Sequence, residues 1–99
     1  MALHKRYRVS RLAKSDISAI YSYTVQTWSG EQADKYQALI MEALKRLADG
    51  SRIGRAAAIE GYLSLRVGSH SILYREVDSI ILIDRVLHQA MDVDRHLKP

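Results

Sequence analysis

The 99-residue sequence predicts a single α+β domain, in which an antiparallel sheet packs on a two-helix hairpin in the order β-α-α-β-β-β. Apolar residues recur at three- and four-residue spacing in the first half of the chain, which is typical of amphipathic helices. In the second half they alternate or run together, which is typical of strands. A chain of this length can bury one core, so residues 1–99 are interpreted as one domain.

Two helices are predicted from their apolar stripes and their caps. Residues 7–9 form a short extended segment, after which Ser10 is a suitable N-cap for the first helix. The second helix begins at Ser29, which pairs with Gln32 in a capping-box pattern, and it ends at Gly50. Because so few residues connect the helices, they must fold back as a hairpin. The aromatic residues expected in its core are Tyr21, Trp28 and Tyr36.

The strands of the predicted sheet follow a loop. Residues 51–61 contain two glycines and no clean period, which indicates irregular structure. Residues 62–67 then alternate as a strand, and Gly68 begins a two-residue hairpin turn. In that register Val67 lies opposite His70, so that apolar residues meet across the pair on one face.

A second turn at residues 78–79 leads into residues 79–87, whose nearly unbroken apolar run predicts the central strand. The helical hairpin can cover only one face of the sheet, so the other face is expected to leave apolar residues open to a protein partner. These apolar residues are Leu73, Leu82 and Val86. The alternative is that a bulge at residues 84–85, or the C-terminal tail, hides them.

The charge of the chain is uneven. Fifteen Lys and Arg against eleven Asp and Glu give a net charge of +4. The basic residues that precede the first acid are Lys5, Arg6, Arg8, Arg11 and Lys14. Such an arm either meets nucleic acid or an acidic protein by Coulomb attraction, or is a solvated strand and helix start. No aromatic stacking platform accompanies it, so sequence-specific nucleic-acid binding is not expected.

Several classes of function are excluded by what the sequence lacks. It contains no cysteine, so we expect no disulfide or thiolate metal site, and a cytoplasmic location. The longest apolar run, residues 80–83, is too short to span a membrane. No phosphate loop, metal-spaced histidine pair or nucleophile elbow occurs, so we expect no cofactor, metal or enzymatic activity. Arginines beside His70 and His88 could clamp a phosphate and move a proton, but arginines on a half-exposed sheet more often bind partners.

Three longer motifs resemble one bacterial family. They read D-I-x-x-I-Y-x-Y-T-x-x-x-W-S at residues 16–29, L-x-V-G-S-H-x-I-x-Y-R at residues 65–75, and R-V-L-H-x-x-M-D-x-x-R-H-L at residues 85–97. Together they resemble the ParE toxins of ParDE toxin–antitoxin modules over about residues 7–97. The resemblance implies the fold of the RelE superfamily, growth arrest by inhibition of DNA gyrase, and a ParD-like antitoxin encoded beside the toxin. It also implies a role in plasmid or chromosome stability and a higher-order toxin–antitoxin assembly.

Two binding surfaces are expected for such a toxin. The residues expected to contact gyrase lie on the last strand and the tail and are Arg85, His88, Met91 and Arg95. The residues expected to contact an acidic, amphipathic antitoxin segment are Trp28, Arg66, Leu73, Arg75 and Leu82.

Two alternatives stay open at this point. The same superfamily contains ribosome-dependent messenger-RNA endonucleases, whose hairpin strand carries a phosphate-binding arginine where this chain has Ser71 and Ile72. Gln89 follows His88 where a histidine-tyrosine pair stands in such nucleases, so the base and the phosphate clamp are both missing. The second alternative is an inactive module that only titrates an antitoxin.

Overall fold

The computed structural model of the chain describes residues 6–88, which form two helices and a five-stranded sheet. The elements in chain order are β1 (Arg6–Val9), α1 (Arg11–Thr27), α2 (Gly30–Asp49), β2 (Arg55–Ala56), β3 (Leu63–Val67), β4 (His70–Val77) and β5 (Ile80–His88). The predicted fold class, helices packed on a sheet, is confirmed. Neither of these two helices has the length and apolar character that crossing a membrane requires.

The sheet has the strand order β1-β5-β4-β3-β2. The three pairs from β2 to β5 are antiparallel, but β1 runs parallel to β5, with Val9 beside Ile83. The expectation of a purely antiparallel sheet is therefore wrong at β1. The physical reason is that both helices and two hairpins separate β1 from β5, so no tight turn sets their relative direction. The short strand β2 lies within the segment that was expected to be a loop.

The predicted caps and turns are confirmed by the backbone. Ser10 and Ser29 accept hydrogen bonds at the starts of the two helices, from the N–H groups of Ala13 and Gln32 respectively. Gly68 takes a φ of 57° at the first hairpin turn, and Val67 pairs with His70. These signals were readable in the sequence because each involves groups only two or three residues apart.

The hydrophobic core lies between the helical hairpin and one face of the sheet. Its buried members are Ala13, Ile40, Ala43, Leu44, Leu47, Leu65, Val67, Ile72, Tyr74, Ile81, Ile83 and Val86. Trp28 is not among them, because 73% of its surface is exposed, so the expectation of a core tryptophan is wrong. Trp28 is the C-cap residue of α1, where the helical periodicity that would turn it inward has ended.

A bulge in β5 decides which residues face the core. The pairing of β4 with β5 shifts between Leu73, which pairs with Arg85, and Tyr74, which pairs with Ile83. The extra residue turns Val86 to the helical side, where it is 3% exposed. The bulge that the sequence left as an alternative is therefore present, and Val86 does not lie on an open apolar face.

Leu73 is also not open to solvent. It lies on the face turned away from the helices, but it is only 1% exposed, and residues of the 52–58 segment line the same groove. Leu82 on the same face is half-buried. The expected exposed apolar surface around Leu73 is consequently wrong, because neighbouring chain and the centre of the sheet enclose it.

Beyond the end of β1, the side chains of Ser10 and Asp16 form hydrogen bonds with the backbone of β5. The Ser10 hydroxyl donates to the Asp84 carbonyl at 2.8 Å, and the Asp16 carboxylate accepts from the Val86 N–H at 2.9 Å. Asp16 also binds both Nε and Nη2 of Arg85, at 2.9 and 3.0 Å. The bulged end of β5 is thereby attached to the first helix.

Replacing Asp16 by alanine is expected to lower the free energy of unfolding by about 3 kcal/mol, because Arg85 loses a partner in a site that excludes most water. The side chains of Asp16 and Arg85 are each only 16% exposed. The control is Glu42→Ala, which breaks an ion pair with Arg46 whose side chains are 56% and 51% exposed. That loss should be below about 0.5 kcal/mol. Urea unfolding measures both, and equal losses would contradict the structural role of Asp16.

Candidate functional site

A groove of about 660 Å³ opens between α1, the start of α2 and the β3–β4 turn. We call it the helix-side groove. The residues that line it are Asp16, Ala19, Ile20, Tyr23, Thr24, Trp28, Gln32, Tyr36, Ser69, His70, Val86 and His88. Its position follows from the short connection between the helices, which places Trp28 of the first beside Gln32 of the second.

Two aromatic side chains stand at the groove with most of their surface in water. Trp28 is 73% exposed and Tyr23 is 66% exposed. The Trp28 N–H donates to the Thr24 carbonyl at 2.8 Å, so the last turn of α1 sets its backbone position. Rings exposed beside an apolar groove are typical of a surface that buries a partner's apolar side chains.

A row of three rings forms the floor of the groove at the sheet. The Tyr36 hydroxyl lies 2.6 Å from Nδ1 of His70 and accepts from the Ser69 N–H at 3.1 Å. The His70 ring meets the Tyr36 and His88 rings edge to face, with centroids 5.4 and 5.3 Å apart. A Cβ on Gly68 would lie 2.6 Å from the Tyr36 hydroxyl oxygen. Glycine is therefore required there for space as well as for its positive φ.

The pKa of His70 lies below its ordinary value of 6.5. Burial is the larger cause, and the charge of His88 adds to it, while the Asp16 carboxylate acts in the opposite direction. The uncharged imidazole is thus favoured, and its Nδ1 shares a hydrogen bond with the Tyr36 hydroxyl.

The described lining of the helix-side groove contains no arginine or lysine that could hold a phosphate. Its one carboxylate, Asp16, would repel a phosphate. Arg85, the nearest arginine to Asp16, is bound to that carboxylate, and the hydrogen bond raises the pKa of the guanidinium. Within residues 6–88, no group of three or more His, Cys, Asp or Glu side chains could hold a metal ion.

The opposite face of the sheet carries a second groove, of about 610 Å³. Arg66 lines it together with Leu73, Arg52 and Arg55. Arg75 lies on the same face, where its Nε donates to Asp84 at 2.7 Å and its guanidinium stands 5.7 Å from the centre of the Tyr62 ring.

The residues expected to contact an antitoxin do not form one surface. Trp28 lies at the helix-side groove, whereas Arg66, Leu73, Arg75 and Leu82 lie on or beside the other face of the sheet. Their separation comes from the strand alternation, since Leu73 and Arg75 point away from the helices that carry Trp28.

The residues expected to contact gyrase are also divided. His88 is exposed at the end of β5 and lines the helix-side groove, but Arg85 is mostly buried against Asp16. Met91 and Arg95 lie outside the described residues. Sequence reasoning missed the link between Tyr36 and His70, because 34 residues separate them and no local pattern signals their contact.

Comparison with known proteins finds relatives that all belong to one toxin family. The family model for the ParE toxin of the parDE type II toxin–antitoxin system matches residues 7–93. The chain is 39% identical over 98 residues to Toxin ParE1 of Mycobacterium tuberculosis, covering 96% of this chain and 100% of that protein. It is 37% identical over 95 residues to Toxin ParE1 of Caulobacter vibrioides, covering 94% and 98%.

Two solved structures share the fold. A chain of the chromosomal ParDE system from P. aeruginosa superposes with a TM-score of 0.79 at 25% identity, covering 88% of this chain and 98% of that chain. A chain of the RelBE2 toxin–antitoxin complex from Mycobacterium tuberculosis gives a TM-score of 0.59 at 23% identity, covering 86% and 98%. The second likeness concerns the fold alone.

The free energy of unfolding is expected to fall as the pH is lowered from about 7.5 to about 5.5. In this range the unfolded chain protonates His70 at its ordinary pKa, while burial keeps the folded ring uncharged. The unfolded state therefore binds more protons, and acid favours it. His70→Asn should flatten this dependence, whereas His88→Asn, which removes only the smaller cause, should weaken it. Urea unfolding across pH, with NMR titration of the ring, measures the effect; a His70 pKa above 6.5 would contradict it.

Proposed function

Because the chain belongs to the ParE toxin family of type II toxin–antitoxin systems, we propose that it arrests growth by binding DNA gyrase and that a ParD-like antitoxin neutralises it. The action takes place in the cytoplasm, where gyrase works, and it proceeds by binding rather than by turnover. The antitoxin partner is in keeping with the similarity of this chain to a chain of the chromosomal ParDE system from P. aeruginosa.

One observation favours a protein that acts by binding over an enzyme: two kinds of chemical group lie on different sides of the sheet. The groups that could transfer protons, Tyr36, His70 and His88, lie on the helical side of the sheet. Arg55 and Arg66, which form no ion pair with a carboxylate among residues 6–88, lie on the other side. Cleavage of a phosphodiester requires both kinds of group on the same phosphate. Their separation supports a binding protein over a ribosome-dependent endonuclease.

The helix-side groove suits the apolar face of an antitoxin segment. It is lined by Ile20, Val86 and the exposed rings of Tyr23 and Trp28, which lose water contact when a partner covers them. Leu73 is too deeply buried to serve as an anchor, so Trp28 takes the leading role among the expected antitoxin contacts.

One groove contains a residue from each of the two expected contact sets. Trp28 belongs to the antitoxin set and His88 to the gyrase set, and both line the helix-side groove. An antitoxin segment seated on Trp28 would therefore cover His88, and neutralisation would follow from exclusion of the target. Arg85 supports this surface through Asp16 and does not itself reach gyrase. Met91 and Arg95 follow His88 in the sequence and stay predicted contacts.

Adding the purified chain to DNA gyrase is expected to abolish supercoiling of a relaxed plasmid, and the antitoxin encoded beside the toxin should restore it. His88→Ala should raise the concentration for half-inhibition about tenfold, equivalent to about 1.4 kcal/mol of binding. The control is Lys45→Ala, an exposed residue of α2 that should change nothing. If gyrase still supercoils the plasmid fully at a saturating concentration of the toxin, gyrase is not its target. Ribosome-dependent messenger cleavage in its place would establish the nuclease alternative.

Trp28→Ala is expected to weaken binding of the antitoxin about 30-fold, because the ring supplies apolar area at the centre of the contact. Leu39→Ala is the matched control, since Leu39 is 57% exposed on α2 and does not line the helix-side groove. It should change the Kd less than threefold. Isothermal titration calorimetry measures both variants, and equal effects would exclude the helix-side groove as the antitoxin site.

A further inference from the structure

Arginines cover the face of the sheet that is turned away from the helices. In the pairing register, Arg8 lies beside Leu82, and Leu82 lies beside Arg75. Arg55 pairs with Ser64, and Ser64 is next but one to Arg66 on the same face. Arg52 of the preceding loop lines the groove with them. We call this set the arginine face: Arg8, Arg52, Arg55, Arg66 and Arg75.

The charge of this face is not neutralised by the described part of the chain. Within residues 6–88, no carboxylate forms an ion pair with Arg8, Arg52, Arg55 or Arg66. Asp84 is the one acid that β1 to β5 place on this face, and it binds Arg75. Four guanidinium groups thus stand across a sheet about 20 Å wide with no paired counter-charge from residues 6–88.

Two of these arginines contact backbone carbonyls and still keep donors for a ligand. Arg52 donates from Nη2 to the Arg66 carbonyl at 3.3 Å, and Arg66 donates from Nε to the Gly68 carbonyl at 3.4 Å. A guanidinium has five N–H donors, so each retains four. The hydroxyl groups of Ser64 and Ser71 line the same groove. The face therefore offers many donors to a row of oxyanions.

We infer that the arginine face binds the phosphate backbone of duplex DNA without reading its sequence. An amphipathic acidic peptide fits less well, because Leu73 is 1% exposed and Ile53 is the one strongly exposed large apolar side chain among the described residues that line this groove. A single strand would need exposed rings to stack on, and the Tyr62 ring on this face stands under Arg75. The choice of DNA over duplex RNA rests on the proposed function, since gyrase acts on duplex DNA.

The arginine face and the helix-side groove lie on opposite sides of the sheet. DNA on the first therefore leaves Trp28 and His88 accessible to a protein on the second. A toxin that binds gyrase with one side and the DNA bound by gyrase with the other would dissociate more slowly from the gyrase–DNA complex than from gyrase or DNA alone.

The test is fluorescence anisotropy of a labelled 20-base-pair duplex, in two unrelated sequences, titrated with the purified full chain at 50 to 200 mM salt. Both duplexes should bind with equal Kd, in the range of about 1 to 100 μM expected for backbone contacts. Arg55→Glu combined with Arg66→Glu should weaken binding more than tenfold and reduce the slope of log K against log salt by about 2.

Two control variants test whether a loss of binding comes from net charge or from the position of the arginines, and thermal unfolding tests whether each variant is folded. Lys14→Glu with Lys45→Glu makes the same change in net charge on exposed helix residues and should weaken binding less than threefold. Arg55→Lys with Arg66→Lys keeps the charge and should preserve binding. Thermal unfolding of each variant confirms that it is folded.

Each remaining outcome overturns the inference. Failure of the wild-type chain to bind either duplex at 50 mM salt excludes a DNA surface. If Lys14→Glu with Lys45→Glu weakens binding as much as Arg55→Glu with Arg66→Glu does, the effect comes from net charge and not from the arginine face. Competition by polyglutamate as strong as by DNA points to an acidic protein segment, and tighter binding of duplex RNA rejects DNA as the ligand. None of these assays contains gyrase, so their failure is distinct from failure of the proposed target.

Discussion

Asp16 holds the point at which the first helix meets the last strand, and both faces of the sheet depend on that contact. Its carboxylate accepts from the Arg85 side chain and from the Val86 N–H, at the bulge of β5. The bulge turns Val86 into the core and leaves His88 in line with His70 across the strand pair. Without it, every side chain after Ile83 would face the opposite side.

The thin sheet separates two surfaces of different character. The helix-side groove is apolar and ringed by exposed aromatic residues, while the arginine face is cationic and its Leu73 side chain is buried. The two partners proposed for these surfaces therefore differ in chemistry, one bound by burial of apolar area and one by charge. This division also places His70 and Arg66, which are close in the sequence, on opposite sides of the sheet. Successive residues of a strand point to opposite faces.

The candidate site was only partly predictable. Trp28 and His88 were both singled out from the sequence, but for different surfaces, and the fold places them in one groove. Leu73 was expected to be exposed because its strand alternates correctly, yet burial on that face depends on residues 52–58, which have no periodic signal. The contact of Tyr36 with His70 joins α2 to the β3–β4 turn, and no pattern in either segment requires it.

The sequence by itself determined the helices, their serine caps, the hairpin turns and the register of β3 with β4. Each of these follows from steric and hydrogen-bonding preferences of residues that are close in the chain. Only the tertiary structure decided the parallel pairing of β1 with β5, the bulge, and the face on which each arginine and histidine lies. These features depend on contacts such as that of Asp16 with Arg85, across 69 residues, whose geometry exists only once the helices have packed on the sheet.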